Sequence, residues 1–237
     1  MLTLSRICGS GVQSIVTGAQ MIMLGEASTV VSGGMENLSQ APHVMRGGRE
    51  GWKLGRSPKV EDYMMTNLQD TTCGLFMAQT SDEICNRKGV TREEIDAYAA
   101  RSHALTTASI ENDVFEQEII PVTIKSRRGD TVVTHKDEDH VVKNTTAESL
   151  AKLPTAFGPD SFVTAGNASG VVDGAAAVVI KSASQATADG DEPLARIVSW
   201  GIVGLEPAIM AYGPVPSSRK ALEKAGLTAV SYTHLTL

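Results

Sequence analysis

Apolar positions change their period several times along the chain, and each change marks an element. Val12, Ile15, Val16, Ala19, Ile22 and Met23 recur at helical spacing over residues 11–24, and Gly25 follows as a stop. Thr29-Val30-Val31 then reads as a short buried strand ending in Ser32-Gly33-Gly34. Residues 37–72 show no clear period and hold Pro42, Gly47-Gly48, Gly51 and Pro58, the mark of a functional insertion. Helical spacing returns from Leu75 to Lys88 and from Arg92 to Asn112, with Thr91 and Glu94 placed as a capping box for the second. Glu118 to Lys125 alternates as a strand, and Thr131-Val132-Val133 pairs with it through the turn Arg128-Gly129-Asp130. The continuous apolar run Ala175 to Ile180 predicts a buried strand, Ser182 to Asp189 a short helix, and Ala195 to Val203 another strand. A last helix spans Pro216 to Ala225, with Ser217 and Ser218 near its start and Gly226 at its end.

Helices alternating with strands predict a layered α/β fold. Composition agrees with that picture: aromatic residues are 4% of the 237 positions while glycine numbers 22, which suits close backbone packing at tight turns. The net charge of −6 argues against a nucleic-acid surface, which needs clustered Lys and Arg. The one basic run, Lys125-Ser126-Arg127-Arg128, reads as a solvated turn. Cys8, Cys73 and Cys85 have neither the number nor the spacing of a disulfide or metal framework. No apolar run approaches the roughly 18–20 residues needed to span a bilayer, and no secretory signal opens the chain, so a cytoplasmic protein is expected. Residues Ala229 to Leu237 continue no preceding pattern, and the first helix has no strand in front of it; both ends read as cut.

Chemistry concentrates at Cys8-Gly9-Ser10-Gly11, directly ahead of the first helical pattern. A thiol at a helix N-terminus feels the positive end of the dipole, which favours the thiolate. The glycines leave room for a bulky substrate, and helix N–H groups suit an oxyanion once sulfur has attacked a carbonyl. On spacing alone a small buried thiol at a turn is the more ordinary description. A phosphate-cradling loop comes third, because no Lys-Ser or Lys-Thr pair follows the glycines.

Longer motifs then narrow the choice. Ser5-Arg6-Ile7-Cys8-Gly9-Ser10-Gly11-Val12-Gln13 resembles the active-site segment of thiolases, and Ser32-Gly33-Gly34-Met35-Glu36-Asn37-Leu38-Ser39 resembles their glycine-rich G-G-M-E-x-M-S turn. Thr164-Ala165-Gly166-Asn167-Ala168-Ser169-Gly170, with Asp173-Gly174-Ala175-Ala176 after it, is similar to the family's T-A-G-N-A-S-G-x-N-D-G-A-A signature. Ala195 to Trp200 and Gly213 to Leu222 match in order and spacing, so the resemblance runs from about residue 5 to about residue 228.

The resemblance implies a layered α-β-α-β-α fold of the thiolase type, incomplete here, with a lid insertion. Residues 1–40 would hold the second part of the N-terminal half, 41–160 the lid, 161–228 the rest of that half and the start of the C-terminal one, and 229–237 a non-matching tail. It implies that Cys8 is the nucleophile, acylated by a CoA thioester. The family's CoA contacts fall on Leu68, Met77, Ser149, Ala156, Phe157, Ala165, Ser169 and Gly170. The apolar members of that set have ordinary core packing as their alternative. CoA and acyl-CoA would be substrates, with no metal or organic redox cofactor, and the complete enzyme a homodimer or homotetramer.

Departures from the family pattern bear on substrate. Phe76 stands where many short-chain thiolases have His, Val142 and Lys143 where an Arg meets the nucleotide end of CoA, Val172 in place of Asn, and Ser5 in place of Asn. Asn167, Asp173 and Glu36 are read as structural, and Cys73 and Cys85 as buried thiols. The G-H-P histidine, the C-x-G-G-G cysteine and the Asn-Glu-Ala-Phe segment do not occur in these residues, and His43, His103, His135, His140 and His234 stand in other contexts. The chain alone is therefore expected to be inactive, whether its parent is an acetyl-CoA C-acetyltransferase or a longer-chain 3-ketoacyl-CoA thiolase. A non-catalytic CoA-binding or assembly piece is the alternative from another class.

Overall fold

The computed structural model describes residues 1–133 and 140–229. The expectations placed on His135, His234 and the tail beyond Ala229 lie outside the described residues. In chain order the elements are α1 (Ser10–Met23), β1 (Thr29–Glu36), a 3-10 turn (Leu38–Gln40), β2 (His43–Met45), β3 (Val60–Asp62) and α2 (Tyr63–Asn67). They continue with α3 (Met77–Lys88), α4 (Arg92–Glu111), β4 (Val122–Ile124), β5 (Thr131–Val133) and α5 (Ala147–Leu150). Then come β6 (Gly174–Lys181), α6 (Ala183–Asp189), a second 3-10 stretch (Pro207–Tyr212) and α7 (Pro214–Ala225). Two compact units result: Met1–Gly74 with the chain from Val171 onward, and Leu75–Gly170.

The first unit is organised on an antiparallel pair, β1 with β6, in register from Thr29 opposite Lys181 to Glu36 opposite Gly174. The glycine-rich segment expected to turn is instead the second half of this strand. A Cβ on Gly33 would stand 2.4 Å from the Ala176 carbonyl oxygen, so the small residues serve close approach of two backbones rather than a reversal. Helix α1 covers one face, with Gly18 against Ser32, Val30 and Ile180; a Cβ there would come within 2.6 Å of Ser32 Oγ. Val16, Ala19 and Ile180 are buried on these elements, and Ser32 Oγ donates to the Ser14 carbonyl at 3.0 Å. The apolar run of β6 is less buried than its composition predicts. Only Ile180 is enclosed while Val178 and Val179 are exposed, because a two-stranded sheet under one helix offers little cover.

The stretch 37–72 is more regular than its pattern suggests. β2 pairs antiparallel with β3, tied by Arg46 Nε to Glu61 Oε2 at 2.7 Å, and Asp62 caps α2 by accepting from Met64 N–H. The opposite correction applies to 195–203, which forms no strand. Apolar alternation predicts a strand only where a neighbouring strand supplies the ladder, and none pairs with it among the described residues. Side chains of α7 take that role: Lys224 Nζ donates to the Trp200 carbonyl at 3.1 Å and Lys220 Nζ to the Ile202 carbonyl at 2.9 Å. α7 itself starts two residues earlier than expected, at Pro214, where proline's missing N–H costs nothing.

The second unit rests on α3 and α4. Thr91 Oγ1 accepts from Glu94 N–H at 3.3 Å and Glu94 Oε2 accepts from Thr91 N–H at 2.9 Å, which is the predicted capping box. The predicted hairpin is present but shorter than expected: β4 covers Val122–Ile124 rather than Glu118 to Lys125, and pairs antiparallel with β5. Its interior is unusually polar: Thr80, Asp82, Asp96 and Thr164 are buried beside Leu150.

Candidate functional site

The turn ahead of α1 is built by Arg6, Ile7, Gly9 and Ser10. Ile7 adopts φ 51, a left-handed conformation that a β-branched side chain takes only at a cost of about 1–3 kcal/mol. Gly9 N–H donates to the Arg6 carbonyl and Ser10 N–H to the Ile7 carbonyl, each at 3.0 Å. Ser10 Oγ donates to the same Ile7 carbonyl at 2.7 Å and accepts from Arg6 N–H at 2.8 Å, while Arg6 Nη1 reaches Gln13 Oε1 at 2.7 Å. Cys8 stands exposed at the crest, one residue before the N-cap Gly9. This corrects the reading of a small buried thiol. It also narrows the anion-holding groups, because the N–H bonds of Gly9 and Ser10 are already used. The first-turn N–H groups of Gly11 and Val12 follow, and no earlier helical turn exists to pair with them. Gly11 Cα lies 3.5 Å from a Cβ built on Gly34, so the end of β1 braces the start of α1. Sequence reasoning missed Ile7, since nothing in its side chain signals a positive φ.

Cys73 and Cys85 are half-buried rather than enclosed. Burial, helped by the nearby Asp82 carboxylate, raises the Cys85 thiol above its ordinary range. Asp173 holds the end of the glycine segment: its carboxylate accepts from Ser39 Oγ at 2.5 Å and Ser39 N–H at 2.9 Å, and these bonds lower its pKa. That is the structural role expected of it. Glu36 stands exposed at the end of β1.

In the second unit Ser169 and Gly170 line an open groove of about 660 Å³ with Tyr98, Ser102, His103 and His140. The loop that delivers them is tightly bonded. Thr164 N–H donates to Asn167 Oδ1 at 2.7 Å, and Asn167 Nδ2 donates to the Phe162 carbonyl at 2.9 Å and to Asp96 Oδ1 at 3.0 Å. Phe162 N–H donates to Asp82 Oδ1 at 2.8 Å. His103 Nδ1 accepts from Val142 N–H at 3.4 Å, which leaves Nε2 as the donor to the Gly166 carbonyl at 3.2 Å. Asn167 is thus structural, as its type in a Gly-flanked turn predicts. Asp82, Asp96 and His103 were missed as supports of this loop; the available signal was Arg92 and Asp96 at i and i+4 on one helix face.

The remaining predicted contacts are distributed as follows. Met77 opens α3, next to Phe76, whose ring lies 5.6 Å from that of Phe157. Ala156 N–H donates to the Val163 carbonyl at 2.8 Å, and Ala165 is exposed on the loop. Ser149 Oγ is engaged in capping α5, accepting from Thr146 N–H at 3.1 Å and donating to the Thr146 carbonyl at 2.8 Å. Leu68 ends α2 in the first unit, which also holds Cys8; the other seven contacts belong to the second. No helix of the described residues is long and apolar enough to cross a membrane.

Comparison with known proteins meets this geometry. A model of the thiolase N-terminal domain matches residues 1–184. An acetyl-CoA acetyltransferase of Pseudomonas aeruginosa is 44% identical over 225 residues, which are 95% of this chain and 57% of that protein. The human mitochondrial 3-ketoacyl-CoA thiolase is likewise 44% identical, over 227 residues, 96% of this chain and 57% of that one. The crystal structure of the human enzyme in complex with CoA superposes with a TM-score of 0.87 at 43% identity, covering 96% of this chain and 56% of that one. The acetyl-CoA acetyltransferase structure from Syntrophomonas wolfei gives 0.90 at 33% identity, over 98% and 58%. The chain therefore spans about 57% of the length of the curated relatives it matches.

Proposed function

The chain belongs to the thiolase family and has its α/β fold, and from that footing we propose that it carries the acyl-accepting half of an acyl-CoA C-acyltransferase, with Cys8 as the nucleophile. The observation that supports this most is the placement of Cys8: an exposed sulfur on a strained turn, braced by Ser10 and Gly34, ahead of a helix of 14 residues. The Cys8 thiolate attacks the thioester carbonyl, the carbonyl oxygen becomes an oxyanion beside the first turn of α1, and the C–S bond to CoA breaks to leave an acyl-enzyme. The departing CoA leaves as the thiolate and takes its proton from solvent. Formation of the C–C bond, or its cleavage in the reverse direction, needs a base and a second cysteine in the G-H-P and C-x-G-G-G contexts. Those motifs do not occur in this chain, so its own part is acyl capture and CoA seating.

For the seating, residues 41–160 act as the lid, and the apolar set Met77, Ala156, Phe157 and Ala165 of the second unit offers apolar surface for pantetheine, with Leu68 as the contact proposed in the first unit. Ser169 and the amide of Gly170 supply hydrogen bonds. Ser149 contributes through its backbone, since its hydroxyl is committed to α5. Lys143 is a point charge for the nucleotide phosphates. CoA is a substrate here, and the resemblance calls for no metal or organic redox group. The assembly proposed for the whole enzyme is a homodimer or homotetramer. A longer-chain 3-ketoacyl-CoA substrate is the second reading, favoured by the Phe76–Phe157 ring contact standing where a short-chain enzyme has His.

The test is direct. Incubation of the chain with acetyl-CoA, followed by peptide mass spectrometry, is expected to place a hydroxylamine-labile acetyl group on the Cys8 peptide and on nothing in Cys8→Ala. Acetylation spread evenly over the three cysteines would remove Cys8 from its role.

A further inference from the structure

The carboxylate of Asp96 is 1% exposed, yet it lies on α4 and not on any segment the chemistry uses. Burying a charge is expensive, and a hydrophobic side chain of like size often serves stability as well or better. A buried carboxylate therefore asks what it holds. Arg92 Nε donates to Oδ2 at 2.7 Å, and Asn167 Nδ2 donates to Oδ1 at 3.0 Å. The second Nδ2 proton of Asn167 goes to the Phe162 carbonyl and its Oδ1 takes Thr164 N–H, so every strong polar direction of that amide is assigned and a flipped amide would oppose like groups. Asp96 is the acceptor that decides the orientation.

The same ion pair reaches a second segment. Arg92 Nη2 donates to the Leu150 carbonyl at 2.9 Å and the Leu153 carbonyl at 3.4 Å, fixing the end of α5. That end packs on the loop so closely that a Cβ on Gly166 would lie 2.4 Å from Leu150 Cδ2. One carboxylate thus sets the loop from both sides, by bonding Asn167 and, through Arg92, by seating Leu150 and Leu153 against Gly166. Beyond this pinned turn the chain emerges as Ser169-Gly170 at the groove.

We propose that Asp96 is a positioning residue for acyl-CoA binding: through Asn167 and Arg92 it holds the Phe162–Gly170 loop in the shape that presents Ser169 and the Gly170 amide to the ligand. The proposal rests on the reading that this loop meets CoA. A residue acting this way changes affinity for the ligand without touching it, and leaves the reactivity of Cys8 alone.

The experiment measures CoA affinity by titration calorimetry on the whole chain, with circular dichroism to select a temperature at which each variant is folded, and with the Cys8 alkylation rate as an independent readout. Asp96→Ala is expected to weaken CoA by about tenfold or more, the worth of one lost charge-assisted bond, with the alkylation rate of Cys8 unchanged. Asp96→Asn, which keeps an acceptor for Asn167, is expected to lose less. Should Asp96→Ala fail to fold, Arg92→Lys carries the test: it keeps a cation beside Asp96 but gives up the fork that also reaches the Leu150 and Leu153 carbonyls, and CoA is expected to bind severalfold more weakly. A folded Asp96→Ala or Arg92→Lys with wild-type CoA affinity overturns the proposal. Ser169→Trp separates the two readings. If it leaves CoA binding intact, or if the wild-type chain binds no CoA, the loop is not a CoA contact and the role of Asp96 falls with it.

Discussion

Ile7 and Cys8 show how a single backbone angle can aim a reactive atom. With φ at 51 on Ile7, the chain reverses just before the sulfur, and two hydrogen bonds to its carbonyl hold the reversal. The three cysteines consequently meet solvent on different terms. Cys8 is exposed, whereas the half-buried Cys85 has its thiol pushed up by desolvation and by Asp82. A raised thiol pKa leaves less thiolate near neutral pH, so Cys85 is expected to react slowly with iodoacetamide and to gain rate only as the solution becomes alkaline. Cys8 should label first, ahead of Cys73 as well; equal labelling of all three at pH 7, read by mass spectrometry, would count against an activated sulfur. The position of Cys8 before glycines and a helix was legible in the residues. The strain at Ile7 was not, because φ is set by the turn that Ser10 and Arg6 close around it.

Helices were the elements most readable from pattern, because their hydrogen bonds are local and their caps lie within a few residues. Thr91 and Glu94 announce the start of α4, and Gly25, Gly89 and Gly226 take positive φ where their helices end. Strands were less readable, since a strand is made by its partner. Ser32 to Glu36 pairs because β6 lies opposite with small residues, while 195–203 has the right alternation and pairs with nothing among the described residues. What holds 195–203 is α7, and Gly201 is the point of closest approach: a Cβ there would stand 2.1 Å from the Ser217 carbonyl oxygen. Gly201→Ala must push the segment off the helix. It is expected to cost about 1–3 kcal/mol, the usual range for overpacking, and to lower the melting temperature, whereas Gly204→Ala, with open space around it, should change it little. Equal melting temperatures would show that the contact contributes nothing.

Across the molecule, the residues proposed for acyl capture and CoA seating are divided unevenly. One unit holds Cys8 and Leu68, and the other holds the remaining residues proposed for CoA, three of them (Ala165, Ser169 and Gly170) on the loop that Asp82, Asp96 and His103 bond to α3 and α4. Neither unit contains a histidine or cysteine in the contexts that complete the reaction in thiolases. A nucleophile parted from its base loses orders of magnitude in rate. This 237-residue chain is therefore expected to form an acyl adduct without turning over. Thiolysis of acetoacetyl-CoA, followed at the enolate absorbance, should not exceed that of Cys8→Ala; turnover above that control would mean that a base is present within these residues.

The family, the place of Cys8 ahead of a helix and the glycine-rich loop around Asn167 could be read from the order of residues, because those features depend on chain neighbours: a turn residue, a cap, a sulfur next to glycine. Which glycines serve turns and which serve strand contact, whether an apolar run finds a partner, and which carboxylate supports the loop depended on groups far apart in the chain. Asp96 and Asn167 are 71 residues apart. Their bond exists only once α4 and the loop have packed, and a contact of that kind leaves no local pattern to read.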